Sequence, residues 1–343
     1  MLTYYPPFNI TPAILSLVAE ISEQLGRWSA NLGDEGLSPQ LRRGNRIRTI
    51  QASLAIEHNS LTVEQVTAVL EGKRVLGLPR EIQEVRNAFT AYEHLSQWQP
   101  YNPKHLLSAH GLLMLGLVDD AGRWRDSGVG IYRDQQLLHM APPPSQVSRL
   151  MTDLLAWLKN CSVHPLVASC VFHYELEFIH PFSDGNGRMG RLWQTLILSQ
   201  WKPALAYLPV ETVIRNQQAQ YYAALSAADK ANEATVFIEF MLQALLVAMQ
   251  EVVLEQVHSI NTAPSRHQVG TKLNLSADQL YVFEHIEGEM SLIELMALLK
   301  RKDRTKFRQQ ILSPLMALGL VEATIPDKPT SSRQKYRLTR END

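Results

Sequence analysis

The sequence predicts a mostly α-helical protein that carries one β-hairpin and a small C-terminal winged helix-turn-helix. Three observations lead there. Apolar residues recur at helical spacing in segment after segment, with capping residues and prolines at the starts and few alternating runs. One stretch, Gly128 to Met140, sets Ile131, Tyr132, Leu137 and Leu138 around a polar Arg133-Asp-Gln-Gln turn and ends at Pro142-Pro-Pro, which reads as a hairpin. Finally, residues 261–275 are polar and unpatterned, and the chain beyond them changes character.

The elements follow in order. Thr11-Pro12 is an N-cap with proline in the first turn and opens a helix through about Ser29. Residues 31–39 read as a loop, and a second helix is expected from Asn45 to Glu57. Thr62 and Gln65 form a capping box for a third, ending near Gly72. Further helices are expected at 80–97, 103–117, 145–159, 163–179, 188–201, 215–229 and 233–260. Past the linker come helices at 276–287, 291–300 and 303–318, then two short strands around Val321 and Tyr336. The domain plan is a helical region over 1–100, a core over 101–262, a linker over 263–275 and a module over 276–343.

Composition narrows the function. With 343 residues, 33 Lys+Arg and 34 Asp+Glu, the chain is long enough for two or three domains and nearly neutral. The two cysteines, Cys161 and Cys170, form no CxxC pair, which excludes a disulfide scaffold and a Cys-rich zinc site. The start lacks the pattern of a signal peptide, and the longest apolar stretch, Phe237 to Met249, is broken by Glu239 and Gln243. A reducing, cytoplasmic setting without a membrane partner is the expectation. Charge is uneven: from Lys300 onward there are 11 basic and 5 acidic residues, against 22 and 29 before it, which marks a separate C-terminal module.

The chemistry concentrates in residues 180–191, His-Pro-Phe-Ser-Asp-Gly-Asn-Gly-Arg-Met-Gly-Arg. Glycines at a loop-to-helix junction let backbone N–H groups turn toward an anion, and the helix N-terminus adds its positive end. Asp184 is a hard carboxylate suited to Mg²⁺. Arg188 and Arg191, three apart, share a helix face and reach one anionic group. Histidine has an intrinsic pKa close to neutral, so His180 suits proton acceptance from a hydroxyl. Together these parts specify phosphoryl or nucleotidyl transfer. His173 and Glu177 lie at i and i+4, but the H-E-x-x-H pattern of a zinc protease is absent, so His173 reads as packing.

This segment resembles the signature of the Fic family, H-x-F-x-(D/E)-G-N-G-R-x-x-R, at every specified position, and the resemblance extends over about residues 45–250. It implies a Fic-type helical bundle in which the hairpin is a flap that pins a target segment by strand addition. It also implies adenylylation: AMP moves from ATP to a Ser, Thr or Tyr hydroxyl of a protein target, and of the enzyme itself, releasing pyrophosphate. By resemblance His180 is the general base and Asp184 holds Mg²⁺ or Mn²⁺. Gly185, Asn186 and Gly187 form the anion hole, and Arg188 and Arg191, with Gly190 between them, receive the β and γ phosphates. Gly187 stands where a kinase-like branch has Lys, which favours AMP transfer. Leu138, His139, Tyr221 and Tyr222 are expected to line the nucleotide pocket.

Ser53 and Glu57 are one turn apart and share a helix face. Beside the signature they resemble the family's inhibitory helix, (S/T)-x-x-x-E-(G/N), in which the Glu pairs with the second arginine, here Arg191, and denies it to the γ-phosphate. His58 departs from that pattern, with Asn59 directly after it. The expectation is a self-inhibited protein adenylyltransferase using ATP, with a homodimer implied by resemblance. The basic run Lys300-Arg-Lys-Asp-Arg-Thr-Lys-Phe-Arg leaves a second class open, a DNA-binding regulator with a nucleotide-sensing core. Removal of AMP and transfer of UMP or phosphocholine stay open within the enzyme class.

Overall fold

The computed structural model describes residues 4–31, 38–133, 136–262, 273, 275–327, 331 and 333–339. It divides into two compact units, one through Glu255 and one from Gln256 onward.

The first unit is a helical bundle. Helix α1 (Pro12–Asn31) is capped by Thr11, whose hydroxyl accepts from the Ile14 N–H at 3.1 Å. Helix α2 (Pro39–Ile56) starts six residues earlier than the sequence reading placed it. Ser38 caps it and Pro39 supplies its first turn, a signal hidden among the arginines and Gly44. Helices α3 (Val63–Leu70) and α4 (Pro79–Glu93) follow, α3 with the Thr62/Gln65 capping box in place. Then come α5 (Pro103–Leu113), the hairpin strands β1 (Gly130–Arg133) and β2 (Gln136–Met140), and α6 (Pro144–Asn160). The hairpin is antiparallel, pairs Ile131 with His139, carries a bulge after Ile131 and is closed below by Ala141 N–H to Val129 C=O at 3.2 Å.

At the centre lies α7 (Pro165–Ile179), buried on nearly every side, as an all-round apolar helix must be. His164 caps its start and Pro165 occupies its first turn. Packed against it are α8 (Asn186–Trp201), α10 (Gln218–Ala231) and the long α11 (Thr235–Thr262), while the short α9 (Val210–Asn216) packs on α2. Trp193 of α8 stacks on Trp98 at 6.1 Å and donates its indole N–H to Pro100 C=O at 2.8 Å. The N-terminal segment is strapped onto this core through Ala234 N–H to Pro7 C=O at 2.8 Å and Tyr4 O–H to Glu175 at 2.6 Å.

One expectation is corrected here. The stretch Thr235–Leu254 of α11 is long and apolar enough to cross a bilayer, because Glu239 and Gln243 do not interrupt it sufficiently. Phe237, Ile238, Met241 and Leu242 from that stretch are buried in the bundle core.

The second unit holds α12 (Ala277–His285), strand β3 (Met290–Ser291), α13 (Leu292–Leu298) and α14 (Arg304–Phe307). From α14 the chain continues through a widened turn at Arg308–Leu312 into α15 (Ser313–Ala317). Pro314 has no N–H to give the regular ladder, which accounts for the widening. Strands β4 (Val321–Ala323) and β5 (Lys335–Leu338) complete an antiparallel sheet of order β3-β5-β4, with Met290 opposite Tyr336 and Val321 opposite Leu338. The sequence reading had two strands. The third, β3, is two residues long, too short to show a period. Phe283, Leu295, Phe307 and Ile311 form a separate core.

Candidate active site

The site is built where α7 ends and α8 begins. His180 closes α7 in the left-handed region at φ 50°, a conformation that costs free energy for a side chain with a Cβ. Pro181 prevents the helix from continuing. The His180 Nδ1 lies 3.3 Å from the Glu177 carbonyl. A proton on Nδ1, donated to that carbonyl, makes Nε2 the acceptor nitrogen.

The loop after His180 is braced from all sides. Asn186 uses both ends of its amide on Phe182: Oδ1 accepts from the Phe182 N–H at 3.0 Å and Nδ2 donates to its C=O at 2.9 Å. Its side chain is thereby committed to the loop, leaving the α8 N-terminus itself to face an anion. His110 stacks on Phe182 at 3.7 Å, accepts from the Gly122 N–H and donates from Nε2 to the Asp184 C=O at 3.0 Å. Burial lowers the pKa of His110, which favours this neutral form.

Arg125 is the other brace. Although it is only 3% exposed, its guanidinium meets carbonyl oxygens alone among the described residues. It donates to His180 O at 2.7 Å, Ser127 O at 2.7 Å, Pro142 O at 2.6 Å and Ile179 O at 3.4 Å. Its backbone N–H reaches Pro181 O at 2.9 Å. Arg125 thus ties both feet of the hairpin to the backbone of His180, and burial lowers its pKa.

Gly185 turns the chain into α8 at φ 87°, with Met114 Sδ where a Cβ would need to be. A side chain at Gly187 would collide with the Glu57 carboxylate, and one at Gly190 with the His173 ring. Asp184 accepts from its neighbour Gly185 N–H at 2.6 Å and pairs with Arg188 at 2.8 Å and Arg80 at 3.1 Å. As the single acid of residues 180–191 it stays accessible, 39% exposed at the side chain. Among the described residues no group of three or more His, Cys, Asp or Glu is placed to hold a metal. A single accessible carboxylate fits Mg²⁺, which takes one or two protein ligands and fills its octahedron with phosphate oxygens and water.

Both motif arginines are held by the N-terminal helices. Arg191, 2% exposed, donates to Ser53 Oγ at 3.0 Å, Ser53 C=O at 3.0 Å and Glu57 Oε1 at 2.7 Å. Burial works against its charge, but the Glu57 carboxylate beside it, with Tyr221 and Glu177 behind, keeps its pKa above the ordinary range. Arg188 pairs with Glu84 of α4 at 3.3 Å as well as with Asp184. The other Glu84 oxygen accepts from Asn59 Nδ2 at 2.8 Å, and Asn59 also accepts from the Leu61 N–H. Asn59 therefore anchors the turn after Glu57 to α4 while His58 takes a positive φ of 69°. Glu177 lies beside the Glu57–Arg191 pair, and burial, then the Glu57 charge, pushes its pKa up to about 7.

His180, Asp184, Gly185, Asn186, Gly187, Arg188, Gly190, Arg191, Ser53 and Glu57 thus converge. Tyr221 sits apart from open space, 1% exposed with its hydroxyl 3.1 Å from His173 Nε2, whereas Tyr222 is 36% exposed. His173 also meets Gln194 at 2.8 Å and burial takes its pKa down to about 3, as a packing residue. Leu138 and His139 belong to β2, but their side chains fall outside the described residues. His110, Arg125, Glu84 and Arg80 have no motif of their own. They reach the loop from positions far away along the chain, and only the fold reveals them.

Comparison with known proteins agrees with this geometry. Residues 100–198 match the Fic/DOC family, and residues 278–339 match the C-terminal domain of Fic-like "filamentation induced by cAMP" proteins. The chain is 28% identical over 249 residues to protein adenylyltransferase fic-1 of Caenorhabditis briggsae, and 30% identical over 254 residues to that of Caenorhabditis elegans. These alignments cover 69% and 66% of this chain but 46% and 47% of the relatives, so the chain spans about half their length. The crystal structure of a Fic family protein from Desulfovibrio desulfuricans G20 is 56% identical, with a TM-score of 0.73, over 98% of this chain and 99% of that one. On the full-length likeness to that protein and the assembled 180–191 cradle, the chain belongs to the Fic family.

Proposed function

We propose that this protein is a self-inhibited protein adenylyltransferase that moves AMP from ATP to a hydroxyl of a protein target. The observation that carries the reading is the occupied cradle. An acceptor nitrogen on His180, an open Asp184 and the α8 N-terminus stand ready, while Glu57 sits on the arginine that the terminal phosphate requires. The names of the nematode relatives support the same chemistry.

The roles follow from placement. The α8 N-terminus and the Gly185–Gly187 backbone stabilise the negative charge that builds at the α-phosphate. His180 Nε2 takes the proton as the target oxygen bonds to the α-phosphorus, and the bond to the leaving pyrophosphate breaks. Asp184 would hold Mg²⁺, which when bound would supply charge neutralisation on the phosphates. Arg191 and Arg188 orient the β and γ phosphates once Glu57 withdraws. The hairpin, whose feet Arg125 holds, presents the target segment by strand pairing.

The test is label transfer by a Glu57→Gly variant with Mg²⁺ and ATP labelled at the α or the γ position. Label on protein from the α position only, lost on His180→Ala, is the expected result. Label from γ alone means a kinase, and no label from either refutes the assignment.

For the second unit, we infer a winged-helix module, supported by its three helical segments and small antiparallel sheet. Lys302, Arg304 and Lys306 are exposed around the start of α14, which favours duplex DNA as a contact. Affinity that falls steeply with salt is expected, and no binding at about 50 mM salt removes that reading.

A further inference from the structure

Away from the cradle, on the opposite stretch of α2, lies a cavity of about 420 Å³. Arg42, Arg43 and Arg46 enter it from α2, Phe89 and Glu93 from α4, and Tyr207 from the short helical turn before α9. Three guanidiniums in one pocket concentrate positive charge there, and the one that is buried, Arg46, is expensive to take from water unless an acceptor or an anion meets it.

Arg46 is 7% exposed. It donates to the Ala206 carbonyl at 3.2 Å and lies over the rings of Tyr92, at 4.9 Å, and Tyr207, at 5.0 Å. The buried carboxylate Glu211 stands behind Tyr92, whose hydroxyl donates to it at 3.1 Å. The Nε of Arg42 is buried with no hydrogen-bond partner. Arg43, 61% exposed at the side chain, touches Glu71 at 3.4 Å, a surface contact worth little. Among the described residues, then, Arg42 and Arg46 have no carboxylate at ion-pairing distance.

The walls add a second requirement. Phe89 and Tyr207 are half-buried aromatic rings, surfaces suited to a flat apolar group. Glu93, exposed at the rim, offers an acceptor for a hydroxyl or an amine. The volume falls within the range of small-ligand sites, about 300–1,000 Å³. From these features we propose a second ligand site, independent of the adenylyltransferase reading, that takes a phosphate ester with a planar ring, of mononucleotide size. Arg42 and Arg46 meet the phosphate, Phe89 and Tyr207 hold the ring, and Arg43 attracts the anion at the mouth.

Photolabelling of the full chain with azido-AMP, followed by peptide mapping, tests this. Label is expected on peptides bearing Phe89 or Tyr207, separate from any on the 180–191 loop, and an excess of inorganic phosphate should reduce it. Arg42→Gln should lower that label by about tenfold, the loss of one charge-assisted contact. Because α2 is tightly packed, Arg43→Gln serves as the variant that leaves folding intact. It should lower the label about threefold at an unchanged Tm. No label on either peptide, or label indifferent to both substitutions and to phosphate, overturns the proposal.

Discussion

The two halves of the 180–191 segment are held in opposite ways. From His180 to Asn186 the loop is fixed by His110, Arg125 and the Asn186 amide, all of them groups that bond to the loop's own backbone. From Gly187 to Arg191 the two guanidiniums are instead held by side chains from the N-terminal helices, Arg191 by Ser53 and Glu57 and Arg188 by Glu84. The first half is preorganised and the second is occupied. On the proposed function, inhibition by occupancy would leave the machinery assembled, so that release would displace the Glu57 carboxylate from Arg191 without refolding the site. A consequence separates the halves: in the first, stability and transfer should fall together, while in the second they should move in opposite directions.

The largest effect is expected at Arg125. Replacing it with Ala takes the charged donor from the part-buried carbonyls of His180, Ser127 and Pro142 and from the buried carbonyl of Ile179, at about 1–3 kcal/mol for an acceptor that water does not reach and less for the others. Unfolding free energy should drop by about 3 kcal/mol, and label transfer in a Glu57→Gly background should fall at least tenfold. Arg125→Lys, which keeps the charge and loses the fork, should recover stability more than transfer. Transfer unchanged by either substitution would mean that His180 and the hairpin hold their places without the guanidinium.

Glu57→Gly breaks the comparison the other way. It leaves Arg191 buried without its carboxylate, a loss of about 3–5 kcal/mol for a wholly buried pair. Because the Glu57 side chain is 34% exposed, about 1–3 kcal/mol is the expectation here. The variant should melt lower than the parent without nucleotide and gain more in Tm from Mg²⁺–ATP, as the γ-phosphate takes the vacated guanidinium. An equal nucleotide-induced shift in the two proteins would show that Glu57 and the phosphate do not compete.

How much of this was legible beforehand follows from where each group lies in the chain. The cradle was readable because one loop and one helix start supply it, so its chemistry is contiguous. Ser53 and Glu57 were readable only beside it, as a pair on a helix face that is commonplace elsewhere. Arg125 and His110 gave no signal, since a single Arg in a loop or a His on a helix has no spacing to interpret. They act at backbone carbonyls 55 and 74 residues away. The same holds for the fold: long amphipathic helices announced themselves, whereas the two-residue β3 and the arginine-rich start of α2 did not.

The smallest effect concerns Glu177, which borders the occupied half and has a pKa raised to about 7 by burial and then by Glu57. In the unfolded chain it titrates near the ordinary value of about 4.3. A folded carboxylate that keeps its proton to higher pH binds more protons than the unfolded one between those values. Stability contributed by this group therefore falls as pH rises from about 4.3 to about 7, and levels off above. Glu177→Gln removes that term. Relative to the parent, the variant should gain on the order of 1–2 kcal/mol across this window and show a flatter Tm profile between about pH 5 and 7. In the Glu57→Gly background one cause of the shift is gone, so the gain should shrink. A gain of equal size with and without Glu57 would show that burial alone raises Glu177 and that the two carboxylates do not sense each other across Arg191.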